Sequence, residues 1–399
     1  MDILRDDLPA LQACSLTCRV MLASARRLIH QTLYLTPENY NYQSVPTRRY
    51  RLRFLKRNHN YFELRFLSYV GERGLLQYTR QVHICMSLTF SPDAILPHLH
   101  HFQSLNHVHT LTLGEFNLLR WTSHYQTCFS HFYPTLTSLT LSHCVDYDRL
   151  LLQFVLQFPR LESLCVERLW ELVNLEVAPP NPTVTVDQPP PLCGHLRLTG
   201  GDTLSQLTTY FSREGVNFRS VELEKFPGSR AQPILNACGN TLEYLTIIHN
   251  GDGMHQLLFL SMGIAKLAAN FLLAGEWELA DLSFTGLTTL RRLTLCFPRV
   301  FDVFKFKRHF LFKVLSAIQS PFFCELVFEV LGPLNQERIK FDRGHTWDAI
   351  DMFLGERCAE REDCRLIFRM EEVNGREIFQ RDIMDRFPRL RRRGRIHFE

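Results

Sequence analysis

The chain has 399 residues, of which 45% are hydrophobic and 22% are charged, and its formal net charge is +4. These fractions are typical of a folded globular protein and exclude a largely disordered chain. A charge of +4 is small for this length, so the composition does not by itself call for nucleic acid or an anionic membrane as a partner. The length admits two or three domains or one elongated array of repeats.

The first predicted element is a helix within the stretch DLPALQACSLTCR, residues 7–19. Asp7 can cap this helix, and Pro9 fits its first turn, where a missing N–H costs nothing. Apolar residues then recur at helical spacing as far as Ile29. A stretch of about 30 residues this apolar cannot fold alone, so we expect it to pack on the rest of the chain or on another protein.

Residues 3–35 resemble the later two-thirds of an F-box, and in particular the F-box-like domains of fungal proteins, in which D-L-P-A-L runs into C-S-L-x-C-R. The opening L-P-x-E segment of that family has no counterpart here, so the resemblance indicates an N-terminally truncated F-box. It implies a subunit that docks on a Skp-family adaptor and, through it, on a cullin. The residues that the resemblance places at the F-box core and adaptor-facing positions are Leu8, Pro9, Leu11, Cys14, Leu16, Cys18 and Arg19.

We expect residues 1–36 to form this partial F-box-like helical segment and residues 37–76 to form a helical linker that caps the following domain. From residue 77 onward, one spacing recurs: an apolar residue, two positions, an apolar residue, one position and an apolar residue. The clear copies are VHTLTL, LTSLTL, LESLCV, FRSVEL, LEYLTI and LRRLTL, and weaker copies are TRQVHI, CGHLRL, FCELVF, DCRLIF and RGRIHF. Most copies are spaced at or just above the leucine-rich-repeat period of about 20–29 residues.

Each copy predicts a short strand with one buried face, because its apolar residues alternate. Helical stretches such as 146–160, which Pro159 ends, lie between the copies. One strand and one helix cannot bury their apolar faces alone, so successive units must stack. We therefore predict an α/β fold over residues 77–399: an irregular leucine-rich-repeat solenoid, curved, with parallel strands inside and helices outside. The asparagine of the strict repeat is mostly absent, and a non-repetitive α/β domain is the alternative.

Two segments interrupt the repeat. Residues 178–191 contain six prolines and predict an exposed loop. The copies LEYLTI and LRRLTL are 48 residues apart, twice 24, as if one copy were hidden between them. This gap contains residues 257–275, which have the length of a membrane span and a single charge, Lys266. Polar residues break the run and no basic cluster flanks it, so we expect an irregular segment at 250–280, either a diverged repeat or an insertion, and no membrane partner.

The twelve cysteines are expected to be thiols, because the acidic N-terminal residues MDILRDDLPA do not resemble a secretory signal. This predicts an intracellular protein, in the cytoplasm, the nucleus or both. Cys14 and Cys18 are spaced as i and i+4, but tetrahedral zinc needs two further ligands. Two small apolar residues on one helix face explain this pair better.

The common phosphate, zinc and serine-nucleophile motifs are absent, so we expect neither enzymatic activity nor a cofactor or metal. The segment 98–143 is rich in histidine. Within it, His107 and His109 flank Val108 at the polar positions of a predicted strand, which makes them candidates for substrate binding on the concave sheet surface.

The C-terminal residues 386–399 contain six arginines. Such a run can mark nuclear import or contact with a polyanion, but it also suits a solvated edge that discourages strand pairing. Without a basic surface across the fold, we expect no nucleic-acid partner.

The resemblance and the repeats together favour the substrate-recognition subunit of an SCF-type cullin-RING ubiquitin ligase, with a target protein bound by the solenoid. The alternative is a non-catalytic leucine-rich-repeat scaffold whose vestigial F-box no longer binds the adaptor. The two differ in residues 7–29: the first leaves part of the apolar stripe exposed, and the second covers it.

Overall fold

The computed structural model divides into two compact units, Met1–Pro191 and Leu192–Glu399. The residues that the structure describes are 8–17, 19–36, 61–63, 74–85, 99–115, 129–146, 148–167, 170–171, 190–199, 204–212, 216–224, 228–248, 282–297, 314–330, 346–357, 359, 361–370 and 376–399. Most of the Pro-rich loop at 178–191 and the whole of the segment predicted at 250–280 lie outside these ranges.

The first unit begins with two helices and continues as a parallel sheet. Its helices are α1 (Leu8–Thr17), α2 (Arg19–Ile29), α3 (Leu99–Phe102) and α4 (Asp148–Leu156). Its main strands are β1 (Thr32–Thr36), β2 (Tyr61–Glu63), β3 (Gln81–Cys85), β4 (Thr110–Gly114), β5 (Ser138–Ser142) and β7 (Ser163–Glu167). They are ordered β2-β1-β3-β4-β5-β7 and all pair in parallel. The short strands β6 (Val145–Asp146) and β8 (Trp170–Glu171) pair separately.

The second unit is a parallel sheet in which every strand lies beside its neighbour in sequence. The strands are β9 (His195–Thr199), β10 (Ser220–Glu224), β11 (Tyr244–Ile248), β12 (Arg292–Phe297), β13 (Glu325–Val330), β14 (Arg365–Met370) and β15 (Ile396–Phe398). Its helices are α5 (Ser205–Phe211), α6 (Gly228–Ala237), α7 (Thr346–Arg357), α8 (Arg376–Arg386) and α9 (Pro388–Arg392).

The predicted repeat is confirmed at all eleven copies, because each copy contains one of the strands β3–β5, β7 and β9–β15. Equivalent residues of successive copies are also Cα partners: Leu139 of β5 lies opposite Leu111 and Leu164. These leucines are completely buried. The apolar positions of the repeat therefore form continuous buried columns within each unit.

The sheet starts earlier than predicted. The strand β1 lies inside the segment assigned to an all-helical F-box, and β2 lies inside the predicted helical linker at 37–76. Both Leu33 and Leu35 of β1 are buried. The stretch TLYL carries the alternation of a strand, but the position three residues before Leu33 is His30, where all six clear copies have an apolar residue.

The two copies that are 48 residues apart in sequence are direct neighbours in the sheet. Residues Tyr244–Ile248 of β11 pair directly and in register with Arg292–Cys296 of β12. A further copy would have placed a strand between them. The register from β11 to β12 is thus unbroken, and residues 249–281 themselves lie outside the described residues.

In several copies a threonine directly precedes the first apolar residue, and its hydroxyl donates a hydrogen bond to the preceding copy. The Thr135 hydroxyl donates to the carbonyl of Val108 at 2.8 Å, and Thr289 donates to that of Leu242 at 3.1 Å. In both pairs the acceptor is the first apolar residue of the preceding copy. Each bond links two successive copies and satisfies a carbonyl that lies just outside the strand ladder.

The expectation that all cysteines are thiols is wrong at one position. Cys364, buried directly before β14, is disulfide-bonded, whereas eight other described cysteines are thiols. The expectation rested on compartment alone, whereas a disulfide also requires two cysteines at bonding distance, which only the fold brings about. Of the helices described, none combines the length and the hydropathy needed to cross a bilayer.

Replacing Thr135 with valine should lower the free energy of unfolding by about 1 kcal/mol, because the Val108 carbonyl loses its donor while the volume is kept. Thr140→Val is the matched control, since Thr140 lies in the same copy on the half-exposed face of β5. Denaturant unfolding of the two variants measures the difference. Equal stabilities would show that the hydroxyl bond between copies contributes nothing.

Candidate functional site

One face of the sheet is open over part of each unit. In β3, β4, β7, β10 and β11 the residues alternate between buried and at least partly exposed positions, as a strand with one buried face requires. Because the strands pair in register, the partly exposed residues also form columns across the strands. This open face is the candidate site for contact with a partner.

In the first unit the open face is uncharged along its central column. His83, Thr112, Thr140 and Cys165 are successive Cα partners in this column, and all are partly exposed. The ring of Tyr34 stacks on that of His83 with 4.6 Å between centroids. Burial lowers the pKa of His83 to about 4, so its imidazole is neutral at physiological pH.

In the second unit the open face carries charges. The Arg197 guanidinium in β9 lies 3.0 Å from the Glu222 carboxylate and 3.5 Å from that of Glu224, both in β10. The Thr199 hydroxyl also donates to Glu224 at 3.3 Å. Burial raises the pKa of Glu222, Arg197 lowers it, and the carboxylates of Glu224 and Glu329 raise it again. This is a half-buried ion-pair network with more carboxylates than guanidinium groups.

The face is closed at β12–β14, where the prediction of strands with one buried face fails. Thr294, Val327 and Ile367 occupy the central column in these strands, and all three are buried. The thiol of Cys296, buried beside this column, donates to Glu329 at 3.3 Å. The near-continuous apolar runs LVF and LIF in β13 and β14 are the sequence signal for strands buried on both faces.

The edge at which the strands of the second unit begin exposes aromatic and arginine side chains. Tyr244 is 39% exposed and lies under the Arg292 guanidinium, and Phe322 is 46% exposed and lies under that of Arg291. The Glu243 carboxylate lies 2.8 Å from the Arg219 guanidinium. Aromatic residues and arginine are the types enriched in protein interfaces.

The two predicted substrate-binding histidines lie outside the strand. His107 lies in a turn, His109 directly precedes β4, and both are exposed. The Nδ1 atom of His109 is 3.0 Å from the Thr135 carbonyl oxygen. The strand covers only the last part of each copy, since its first apolar residue, here Val108, is buried in the preceding turn. The histidines are therefore at the strand entry and not on the open face.

The residues assigned to adaptor binding lie in the two N-terminal helices. Leu11 is 1% exposed, and so is covered within this chain, whereas Cys14 is half-buried. The remaining assigned positions are Leu8, Pro9 and Leu16 in α1, Arg19 at the start of α2, and Cys18, which lies outside the described residues.

Over the part of the chain that the structure describes, no three histidine, cysteine, aspartate or glutamate side chains lie close enough to hold a metal ion. The fold and the open face define the class of this molecule: a repeat-type α/β protein with parallel strands in each unit.

No protein-family model matches the chain, and no curated protein matches it. Among solved structures, the crystal structure of the yeast Rad7 and Elc1 complex contains a similar chain, with 10% identity over 75% of this chain and 71% of that chain. The TM-score is 0.24. A score this low carries no argument about the fold or function of this chain.

Replacing His83 with glutamine should remove a loss of stability at acid pH. The folded-state pKa of about 4 lies below the ordinary value of 6.5, so the unfolded chain binds the proton more readily. Wild-type stability should therefore fall, relative to the variant, as pH drops from about 6.5 to about 4. Denaturant unfolding across this range measures the difference, and a difference independent of pH would contradict the burial of a neutral His83.

Replacing Glu222 with glutamine should have the opposite dependence. Because its folded-state pKa is raised above 4.5, the folded chain holds this proton more tightly than the unfolded chain. Wild-type stability should therefore decline, relative to Glu222→Gln, as pH rises from 4.5 towards neutrality. The comparison uses unfolding midpoints in a pH series. A relative gain in wild-type stability over this range would show that Arg197 outweighs burial.

Proposed function

We propose that this chain is a non-enzymatic substrate-recognition subunit of an SCF-type ubiquitin ligase. The open face of its repeat array binds a target protein, and its N-terminal helices dock on a Skp-family adaptor that connects it to a cullin. Such a subunit forms and breaks no bonds. It accelerates transfer by holding the target near the ubiquitin-loading machinery, which raises the effective concentration of the reacting groups.

The observation that carries the recognition role is the open sheet face. Its side chains are placed by backbone pairing in rigid columns, so little conformational entropy is lost when a partner binds. In the first unit this face presents an uncharged column with Thr112 and Thr140, and in the second unit it presents an ion-paired network with Glu222 and Glu224. A target with matching polar and basic groups would be distinguished from others by electrostatic complementarity.

The edge with Tyr244 and Phe322 supports the same role, since large aromatic residues beside arginine are typical of interaction hot spots. The absence of common catalytic motifs from the sequence fits a binding protein. The ligase assignment rests on the resemblance of residues 3–35 to an F-box. This assignment implies that the protein acts in the cytoplasm or the nucleus.

The second candidate is a scaffold that recognises proteins through the same face but binds no adaptor. The burial of Leu11 favours it, because a side chain covered within the chain cannot contact an adaptor without rearrangement. The half-exposed Leu28 and Ile29 at the end of α2 favour the ligase role, since they leave part of the apolar stripe accessible.

A binding measurement between the full chain and a purified Skp-family adaptor distinguishes the two. The wild-type chain should bind, and Cys14→Asp should weaken binding at least tenfold, because it places a charge at a half-buried position of the assigned surface. Ser24→Asp is the matched control, an exposed position on the neighbouring helix α2. Leu11 is not a useful target, because a charge there would disrupt packing.

Failure of the wild-type chain to bind the adaptor would contradict the ligase assignment and favour the scaffold function. Equal weakening by Cys14→Asp and Ser24→Asp would contradict the assigned surface, since it would show that any negative charge on the helix pair disturbs docking. Circular dichroism of each variant shows whether the fold is retained.

A further inference from the structure

Three arginines of the basic C-terminal run converge on one cleft of the second unit. The cleft has a volume of about 410 Å³ and is lined by Gly355, Glu356, Ala359, Arg389, Arg392 and Arg393. We propose that it binds a phosphorylated serine or threonine of a partner protein. The proposal does not depend on the ligase assignment, because it rests on residues of α7 and α9 and the turns that follow them.

The walls of the cleft are held together by the core. Asp351 of α7 is 2% exposed and accepts the backbone N–H groups of Arg389 at 2.9 Å and Leu390 at 3.0 Å. The rings of Trp347 and Phe387 are in edge contact, with 5.5 Å between centroids. The position of α9 on α7 is therefore fixed before any ligand binds, which reduces the entropy cost of binding.

The arginines of this run fall into two groups. Arg391 pairs with Asp385 at 3.0 Å, and Arg395 donates to the carbonyl of Glu362, so both serve the fold itself. By contrast, within the described ranges no carboxylate pairs with Arg389, Arg392 or Arg393. Arg392 uses its Nε to donate to the Pro388 carbonyl at 3.2 Å. The three arginines of the cleft thus remain available for an anion.

The charge of the cleft matches a phosphomonoester. Among the described lining residues, three arginines and Glu356 sum to a charge of +2, and a phosphorylated side chain carries about −1.5 to −2 at neutral pH. Arginine suits this ligand because its planar fork can donate two parallel hydrogen bonds to phosphate oxygens. A single aspartate or glutamate of a partner protein, with one negative charge, would neutralise only half of the charge of +2 on the cleft.

The lining favours a polypeptide over a nucleic acid. None of the described lining residues is aromatic, so this part of the cleft offers no platform for stacking bases. The Glu356 carboxylate would repel the further phosphates of a polyanion. Met352, one helical turn before Glu356, is 42% exposed and offers an apolar contact for a residue beside the phosphorylated one.

Fluorescence polarisation with the full chain tests the proposal. The probe is a labelled nine-residue peptide with one central phosphoserine flanked by leucines, compared with the same peptide carrying serine. The phosphopeptide should bind at least tenfold more tightly than its unphosphorylated form. Arg392→Ala/Arg393→Ala should weaken that binding about tenfold or more, because two charge-assisted contacts are lost. Arg391→Ala is the matched control and should leave binding unchanged, since Arg391 does not line the cleft.

Inorganic phosphate and a ten-residue single-stranded deoxythymidine oligonucleotide complete the design as competitors. Displacement of the probe only at phosphate concentrations at least tenfold above the phosphopeptide Kd would support a site for a protein segment. Equal affinity for free phosphate, or tighter binding of the oligonucleotide, would overturn it. Equal binding of the phosphorylated and unphosphorylated peptides would also overturn the proposal. So would an equal loss of phosphopeptide binding in Arg391→Ala and in Arg392→Ala/Arg393→Ala. Thermal unfolding checks that the double variant is folded.

Discussion

In-register stacking of equivalent apolar residues is the constraint on which both units depend. Leu139 lies opposite Leu111 and Leu164, and Leu245 lies opposite Val221 and Leu293. Side chains alternate across a strand, so a slip of one residue would turn the leucines of that strand towards solvent. Each strand is therefore held by its neighbours, and no single copy is stable alone.

The same register decides the chemistry of the surface. Residues between the buried columns are forced into columns of their own, and each partner strand adds one side chain. This brings Arg197 of one copy against Glu222 of the next, although 25 residues separate them in sequence. The face closes where apolar residues such as Val327 replace polar ones. The surface open to a partner is thus limited to part of each sheet, and the separate basic cleft between α7 and α9 lies among helices.

Much of the fold could be predicted because its signal is local and repeated. Every copy of the apolar spacing is a strand, including weak ones such as RGRIHF at β15. The site could be predicted less well. His107 and His109 were placed on a strand that starts only at Thr110, because the pattern does not distinguish a turn residue from a strand residue. The covering of Leu11 and the disulfide of Cys364 depend on contacts that the spacing of residue types along the chain does not specify.

The sequence by itself determined which residues of the eleven copies are buried in strands, the parallel and sequential order of those eleven strands, and the concentration of arginine near the C-terminus. Those features depend on the spacing of residue types along a short stretch of chain, and this spacing can be read directly from the sequence. Only the tertiary structure decided that β11 and β12 are direct neighbours, that the polar Thr294 of β12 is buried, and that Arg389, Arg392 and Arg393 meet at α7 while Arg391 does not. These features depend on which distant segments pack together, and packing is settled by the whole chain.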